Sequence, residues 1–551
     1  ATWQAGTMEK VRIGLEMATK WTDPTCLLIL LLPTVVGWVA STGYFFYGAV
    51  MAFLAGVRDP TELAVVGAKL LSPSALLWVV WNLGYHWSSF FEDKSIDTSN
   101  FVTFRNPKMA KYWRHRRIPM CELYEFYIAA KCDWNPKCEG GDCFKILRFH
   151  RQHFVSYKTT WRQLSWLLQQ FMPKWMTGGV GLGHGSSSGK SVEETTKEID
   201  EHYNKGNDVF SCILGQAMVY TCGIFHRVPA FAADGHNGDY EASKNDGSLI
   251  QAQVNKMNMI CDKLDLQKGE SLLDIGCGWG TLGRHAASEY GATATGVTLS
   301  REGKIYCDMA SERTGIPMDT MLCDYRLIPQ ELKFDKIASI EMAEHVGIVN
   351  FIDPYLANVR RLLKKDGRFL MQVAGLRQGS NWQDVSWALF MAKYVFPGAD
   401  ASTPLNWYVK QCERAGFEVH SVENIGNHYA HTLHKWYDNW MSHKEDILSG
   451  KIDAISEHSK GEHLFRLNEI TWAWCAIHAG HGGGTCYQIL MHPADYEYPR
   501  DQWVDGAHVS GTSVTGVGLR RGEEVGLSKE FKDKAVAQKA GAQLRRRNVA
   551  C

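Results

Sequence analysis

The sequence predicts an α/β chain: a doubly wound, Rossmann-like domain with a helical lid, preceded by N-terminal transmembrane helices. Three observations carry this. A short apolar run, Leu272-Leu273-Asp274-Ile275, enters a turn with glycines at 276, 278 and 280, and a helical pattern follows through Leu282, Ala286 and Ala287. Further short apolar runs at 294–299, 337–340 and 486–491 read as additional strands of the same domain. Two long stretches near the N-terminus are almost free of charge.

At 551 residues the chain is too long for one ordinary core, so several folded units are expected. Lys plus Arg equals Asp plus Glu at 59 each, which excludes a chain-wide nucleic-acid footprint. Charged residues make up only 21%, beside 20 Trp, 21 Tyr and 23 Phe, a load that suits a lipid-facing part and a deep apolar pocket. Cys121, Cys132, Cys138 and Cys143 lie close together but lack the C-x-x-C pairs of a zinc site, so free thiols and no metal are expected.

Residues 1–25 form an N-terminal segment and 26–90 a membrane anchor of two helices. Residues 27–57 carry no charge at all, longer than the ~20 residues a span needs, with Pro33 and Gly37 as interruptions. After Arg58-Asp59-Pro60 the stretch 63–87 is broken only by Lys69, and Trp78, Trp81, Tyr85 and Trp87 cluster as at a membrane interface. A cleavable signal peptide does not fit, because the apolar run is too long for its h-region. The basic, aromatic stretch that follows (Arg105, Lys108, Lys111, Tyr112, Trp113, Arg114, Arg116, Arg117) places this side in the cytosol, where its cations can rest on anionic headgroups.

Residues 91–177 read as a helical, membrane-proximal region with Trp161, Trp166 and Trp175 in its last third. Residues 178–191 are a flexible, glycine-rich linker. Its Gly189-Lys190-Ser191 ending is not a phosphate loop, since His184 stands where the first glycine is required and no strand leads in. Residues 192–492 form the α/β domain, with helical insertions around 380–450 roofing its pocket, and His443, Lys444 and the Trp436 and Trp440 patch facing lipid. Residues 493–551 form a polar, disordered tail.

The glycine loop lets backbone N–H groups approach a ligand at a helix start. Gly278-x-Gly280-x-x-Gly283 also fits a dinucleotide fingerprint, but two features favour S-adenosylmethionine. Asp274 precedes the glycines, where a carboxylate meets a cationic ligand. The second strand ends in Thr298-Leu299-Ser300 instead of the acidic residue that a dinucleotide ribose wants.

Together the runs DIGCGWGTL from Asp274, GVTLS at 296–300, CDYR at 323–326 and EMAEHVG at 341–347 resemble the cyclopropane-fatty-acid synthase family. So do His202-Tyr203-Asn204-Lys205-Gly206-Asn207-Asp208 and the Tyr220-Thr221-Cys222-Gly223 turn. Within that family the pattern is most similar to the fungal sphingolipid C9-methyltransferases, through residues 389–405, Gly375-Leu376-Arg377 and Thr485-Cys486-Tyr487-Gln488.

The resemblance implies a class I methyltransferase domain and a site. Tyr220, Thr221, Asp274, Gly276, Cys277, Gly278, Trp279, Gly280, Thr298, Leu299, Ser300, Asp324 and Tyr325 are expected to hold S-adenosylmethionine, with Ile340 beside it. Glu344 is the implied active-site carboxylate and Tyr429 the implied active-site tyrosine, with Cys222, Gln372 and Cys486 completing the catalytic set. Cyclopropane synthases hold a bicarbonate base with a Cys, Glu, His and Tyr. Here Gln372 stands at the histidine position and cannot carry its charge, which argues against bicarbonate. Gly303 stands where the family commonly has Gln near the cofactor.

An alkene is a weak nucleophile, so the sulfonium must be held in line with it. Methyl transfer leaves a carbocation that aromatic faces and a carboxylate stabilise. Proton loss from the chain then gives a methyl branch; loss from the new methyl closes a ring. The implied reaction is methylation of C9 in the Δ8-unsaturated sphingoid base of ceramide or glucosylceramide, at the cytosolic face of the endoplasmic reticulum or Golgi membrane. A cyclopropane-forming phospholipid enzyme, an inactive lipid-binding scaffold and an NAD-dependent reductase are the rivals. The last lacks its acidic residue at Ser300.

Overall fold

The computed structural model describes residues 92–158, 163, 190–203, 206–225, 249–347, 349–377, 382–396, 403–452, 461–495 and 497–500. The expected membrane anchor, the Trp161, Trp166 and Trp175 segment, residues 178–189 of the linker and the tail beyond 500 lie outside them. Among the described residues no helix is long and apolar enough to cross a membrane.

Seven strands form the central sheet: β1 (Ser271–Ile275), β2 (Thr293–Thr298), β3 (Asp319–Leu322), β4 (Phe334–Ile340), β5 (Leu363–Leu376), β6 (Phe417–Asn424) and β7 (Gly484–Pro493). Their spatial order is β3-β2-β1-β4-β5-β7-β6. The first five pair in parallel, whereas β7 inserts antiparallel between β5 and β6. The sheet is therefore mixed, the doubly wound form expected, with its strand order reversing between β1 and β4. Ligands bind at that crevice, beyond the carboxyl ends of the strands, in such sheets.

The central strands are covered on both faces, so they read as continuous apolar runs instead of alternating ones. Leu272, Leu273 and Ile275 of β1 and Ile337, Ala338 and Ile340 of β4 are buried. One face carries α-helix Leu249–Leu264 and helix Thr281–Tyr290, packed on Leu272, Ala338 and Leu370. The other is covered by Tyr355, Leu356, Val359, Tyr408 and Cys412 around Phe369 and Ile489. Helix Arg301–Thr314 starts at Ser300, whose hydroxyl accepts from Gly303 N–H at 3.0 Å, and ends at Gly315 with φ 66°.

A second core is aromatic and entirely helical in its centre. Helices Met120–Ile128, Cys143–Phe154, Trp382–Phe390, Tyr429–Ser442 and Gly461–Gly480 meet around Tyr124, Phe144, Phe390, Trp436, Trp440 and Trp474. Two sequence expectations change here. The region from 92 to 158 packs on the later helices, the Phe144 ring lying tilted 5.8 Å from Tyr437 and Arg466 on the last helix bonding the Cys132 carbonyl at 3.0 Å. It is not purely helical, because Val102–Phe104 pairs with Cys132–Trp134 and Ile118–Pro119 with Val155–Ser156. Trp436 and Trp440 do not face lipid. Both are buried, Trp440 donating its indole N–H to the Phe465 carbonyl at 3.1 Å, because the stripe they form fits the facing helix Gly461–Gly480.

The basic stretch is also partly neutralised within the fold. Arg105 pairs with Asp133 at 2.9 Å, Arg114 with Asp97 at 3.4 Å and Arg116 with Glu92 at 3.5 Å. The described cysteines are free thiols, and the described residues contain no cluster of metal-ligating side chains.

Candidate active site

A cavity lies at the strand-order reversal, over the carboxyl ends of β1, β2 and β4. Of the expected cofactor residues, Tyr220, Thr221, Asp274, Gly276, Cys277, Gly278, Trp279, Thr298, Leu299, Ser300, Tyr325 and Ile340 line it. Gly276 and Gly278 hold φ of 81° and 54°, which a side chain would strain. A Cβ on Gly276 would sit 2.6 Å from Met342, so that glycine also lets the loop after β1 close against the turn after β4.

Two expected cofactor residues do not line the cavity. Gly280, φ 71°, opens helix Thr281–Tyr290 from the far side of the loop, where a Cβ would meet Cys307 Sγ at 2.8 Å. Asp324 is buried behind the cavity and accepts from Arg326 at 2.6 Å and from its backbone N–H at 2.9 Å. It thereby holds the turn that turns Tyr325 toward the ligand. Gly303, the departure noted in the sequence, lines the cavity as well. A Cβ there would lie 2.7 Å from the Gly278 carbonyl oxygen, so in this chain the cofactor loop occupies the space a side chain would need.

The electrostatics fit a cationic, flat-ringed ligand. Burial lifts the Asp274 carboxyl to about 7, opposed by the charge of Lys256. Lys256, buried under the same loop, is pulled down to about 8 by desolvation, with Glu341 opposing; its ammonium donates to the Thr221 hydroxyl. The Ser300 and Thr298 hydroxyls and the loop's backbone groups supply the neutral polar surface that a nucleoside needs, so the residues present suit S-adenosylmethionine.

Beside this lies an aromatic wall. Tyr220 meets Trp436 at 5.1 Å, and both Phe396 and Trp472 at 6.0 Å; Tyr203 and Phe396 each meet His345 at 6.2 Å. Phe396 and Trp436 bring the segment ending at Phe396 and helix Tyr429–Ser442 against Tyr220, which lines the cavity. His345 is driven down to about 4, first by burial and then by Lys190, so it is a neutral ring at physiological pH.

The expected catalytic set converges, but on a different carboxylate. Cys222, Gln372, Tyr429 and Cys486 all surround Glu341. Its Oε1 accepts from Cys222 N–H at 2.9 Å, from Gln372 Nε2 at 2.6 Å and from Cys486 Sγ at 3.5 Å. Its Oε2 accepts from the Tyr429 hydroxyl at 2.6 Å. Burial, then the Glu341 charge, pushes the Tyr429 phenol well above its usual range, and burial does the same for Cys486, so both stay protonated donors. Glu344 is buried on the turn Ala343–His345, where its Oε1 accepts the Ala374 N–H. The first residue after β4 reaches the four donors; a carboxylate three positions later has already turned away toward β5.

Glu341 was legible only as a residue of the EMAEHVG run, within which the resemblance put the active-site role on Glu344. Two further residues were given no role by the sequence, Gln488 and Lys263. Gln488 lies directly opposite Gln372 in the β5–β7 ladder and donates Nε2 to Gln372 Oε1 at 2.9 Å. Lys263 donates to Gln488 Oε1 at 2.6 Å and to Glu423 Oε2 at 2.6 Å. An ammonium has no acceptor, so it fixes Gln488 with its oxygen toward Lys263 and its amide N–H₂ toward Gln372. Gln372 must then turn its own N–H₂ to Glu341. The relay gives the glutamine on β5 one orientation.

Residues 190–459 match the family model described as mycolic acid cyclopropane synthetase. The chain is 36% identical to sphingolipid C9-methyltransferase 2 of Gibberella zeae over 386 residues, 69% of this chain and 66% of that protein. It is 33% identical to sphingolipid C9-methyltransferase B of Emericella nidulans over 84% of this chain and 81% of that one. Cyclopropane-fatty-acyl-phospholipid synthase of Escherichia coli is 34% identical over 50% of this chain and 64% of its own length.

Proposed function

The chain belongs to the family of the sphingolipid C9-methyltransferases, and from that premise we propose that it moves a methyl group from S-adenosylmethionine to C9 of the Δ8-unsaturated sphingoid base of ceramide or glucosylceramide. The observation that carries the reading is one cavity holding a cofactor loop, an aromatic wall and a caged carboxylate together. S-Adenosylmethionine, when bound, supplies the electrophilic methyl. Asp274 meets its cationic part, the loop from Gly276 to Trp279 receives it with backbone groups, and Ile340 packs beside it. Tyr203 and Tyr220 line the cavity and offer aromatic faces to the positive charge that develops on the lipid, with Phe396, Trp436 and Trp472 packed against Tyr220.

The substrate hardly leaves the bilayer, and an anchor at 26–90 keeps the cavity mouth beside it, raising its effective concentration. The uncharged run 27–57 supports that anchor, and the cations at Lys108 and Lys111 support a cytosolic orientation at the endoplasmic reticulum or Golgi.

The test is a mass-spectrometric assay of the detergent-solubilised full chain with methyl-deuterated S-adenosylmethionine, offered Δ8-unsaturated glucosylceramide and an unsaturated phospholipid together. Three deuteriums on the sphingoid base are expected. Retention of two, or label on the phospholipid alone, would mean ring closure or another lipid and would end the C9 reading.

A further inference from the structure

We propose that Glu341 is the built-in base of this enzyme, taking the proton that cyclopropane synthases are expected to give to a bound bicarbonate. This rests on the methyltransfer reading above but not on which lipid is methylated. The residues that the sequence marked for bicarbonate do not leave it a place: Cys222, Gln372 and Tyr429 already direct their donors at the Glu341 carboxylate. Bicarbonate therefore does not fit this site, and no step uses it.

Three independent features say that this carboxylate is placed for use. It lines the cofactor cavity, with Ile340 and Met342 on either side. It holds φ 52°, a left-handed conformation that strains a residue with a side chain and that clusters at functional sites. It is fixed from behind by a buried polar relay, Glu423–Lys263–Gln488–Gln372, whose polarity ends in an N–H donor at Glu341 and nowhere else in the cavity. A carboxylate serving only to tie β5 to β7 would need neither the backbone strain nor the exposure to the ligand.

The chemistry balances with no added reagent. Methyl transfer breaks the S–CH₃ bond, its electron pair staying on sulfur, and the alkene π pair forms the C9–CH₃ bond, leaving C8 electron-deficient. A Glu341 oxygen takes the C9 proton, and the C9–H pair becomes the new C8=C9 bond. The carboxylic acid returns its proton to solvent after the product leaves. A proton next to a carbocation is so acidic that a weak base suffices, provided it is in reach. Three donors crowd Oε1, whereas Oε2 accepts only the Tyr429 hydroxyl among the described residues, which leaves Oε2 a lone pair for the proton while the carboxylate charge stabilises the cation.

The test compares wild type, Glu341→Gln and Glu341→Gly in the full chain, with the glycine variant relaxed at a positive φ and able to admit a small carboxylate. S-Adenosylmethionine affinity is expected to change by less than ~3-fold in both, while turnover falls by ~10²–10⁴-fold, the usual reach of a general base. Formate or bicarbonate should restore part of the glycine variant's turnover, and removal of carbon dioxide should leave wild type unaffected. Turnover of Glu341→Gln within a few-fold of wild type, wild-type dependence on bicarbonate, or no rescue of Glu341→Gly would each overturn the assignment. If wild type labels only the phospholipid, the sphingolipid reading fails, and the same three proteins compared on that lipid still decide the role of Glu341.

Discussion

Asp274 shows how a single buried side chain sets a pH dependence. Its ordinary value is 3.8 and burial raises it to about 7 in the folded chain. Between those values the folded state binds a proton that the unfolded state does not, so Asp274 makes the ligand-free protein less stable as pH rises through that window. A cationic ligand needs the ionised form. S-Adenosylmethionine affinity is therefore expected to climb from pH 5.5 to pH 7.5, below the titration of Lys256, with a proton released on binding. Calorimetry in buffers of different ionisation enthalpy checks this, and Asp274→Asn should bind weakly with no slope. A flat wild-type profile would mean that Asp274 does not meet the ligand. The same scale explains which carboxylate was legible. Asp274 stood alone before the glycines, whereas Glu341 and Glu344 shared one motif, and only the backbone turn after β4 separated their roles.

At the level of elements, periodicity located β1, β2, β4 and β7 and the helix after the glycine loop, because buried parallel strands leave compact apolar runs. It misplaced the tryptophans. A Trp at 436 and another at 440 look alike whether a helix face meets lipid or another helix; the partner helix Gly461–Gly480 decided it. Trp474 lies in that partner, buried and 5.2 Å from Phe390 and 5.9 Å from Tyr124. Trp474→Ala is expected to cost about 3–5 kcal/mol, read as a lowered urea midpoint with an unchanged slope. A loss under about 1 kcal/mol would mean that the aromatic core is not shared as described.

Across the whole molecule, the segment from 92 to 158 and the last two long helices share one apolar core, and they close it over the sheet domain. This joins the segment from 92 to 158 to helix Tyr429–Ser442, so under the proposed membrane anchor any approach of the first to a bilayer also positions the second. Full-length protein in microsomes is expected to resist carbonate extraction, and a chain lacking residues 1–91 to be released while still binding S-adenosylmethionine. Release of the full-length chain would remove the anchor from the reading.

The sequence by itself determined the sheet domain, the cofactor loop and the family. These reside in local runs whose chemistry (a strand, a glycine turn, a helix start) repeats wherever that ligand is bound. Only the tertiary structure decided which acid is caged, how Gln372 is turned and where the aromatic wall stands. Glu341, Gln372, Gln488, Lys263 and Tyr429 come from five different elements, and hydrogen-bond polarity across β5 and β7 is a property of register, which no single segment carries.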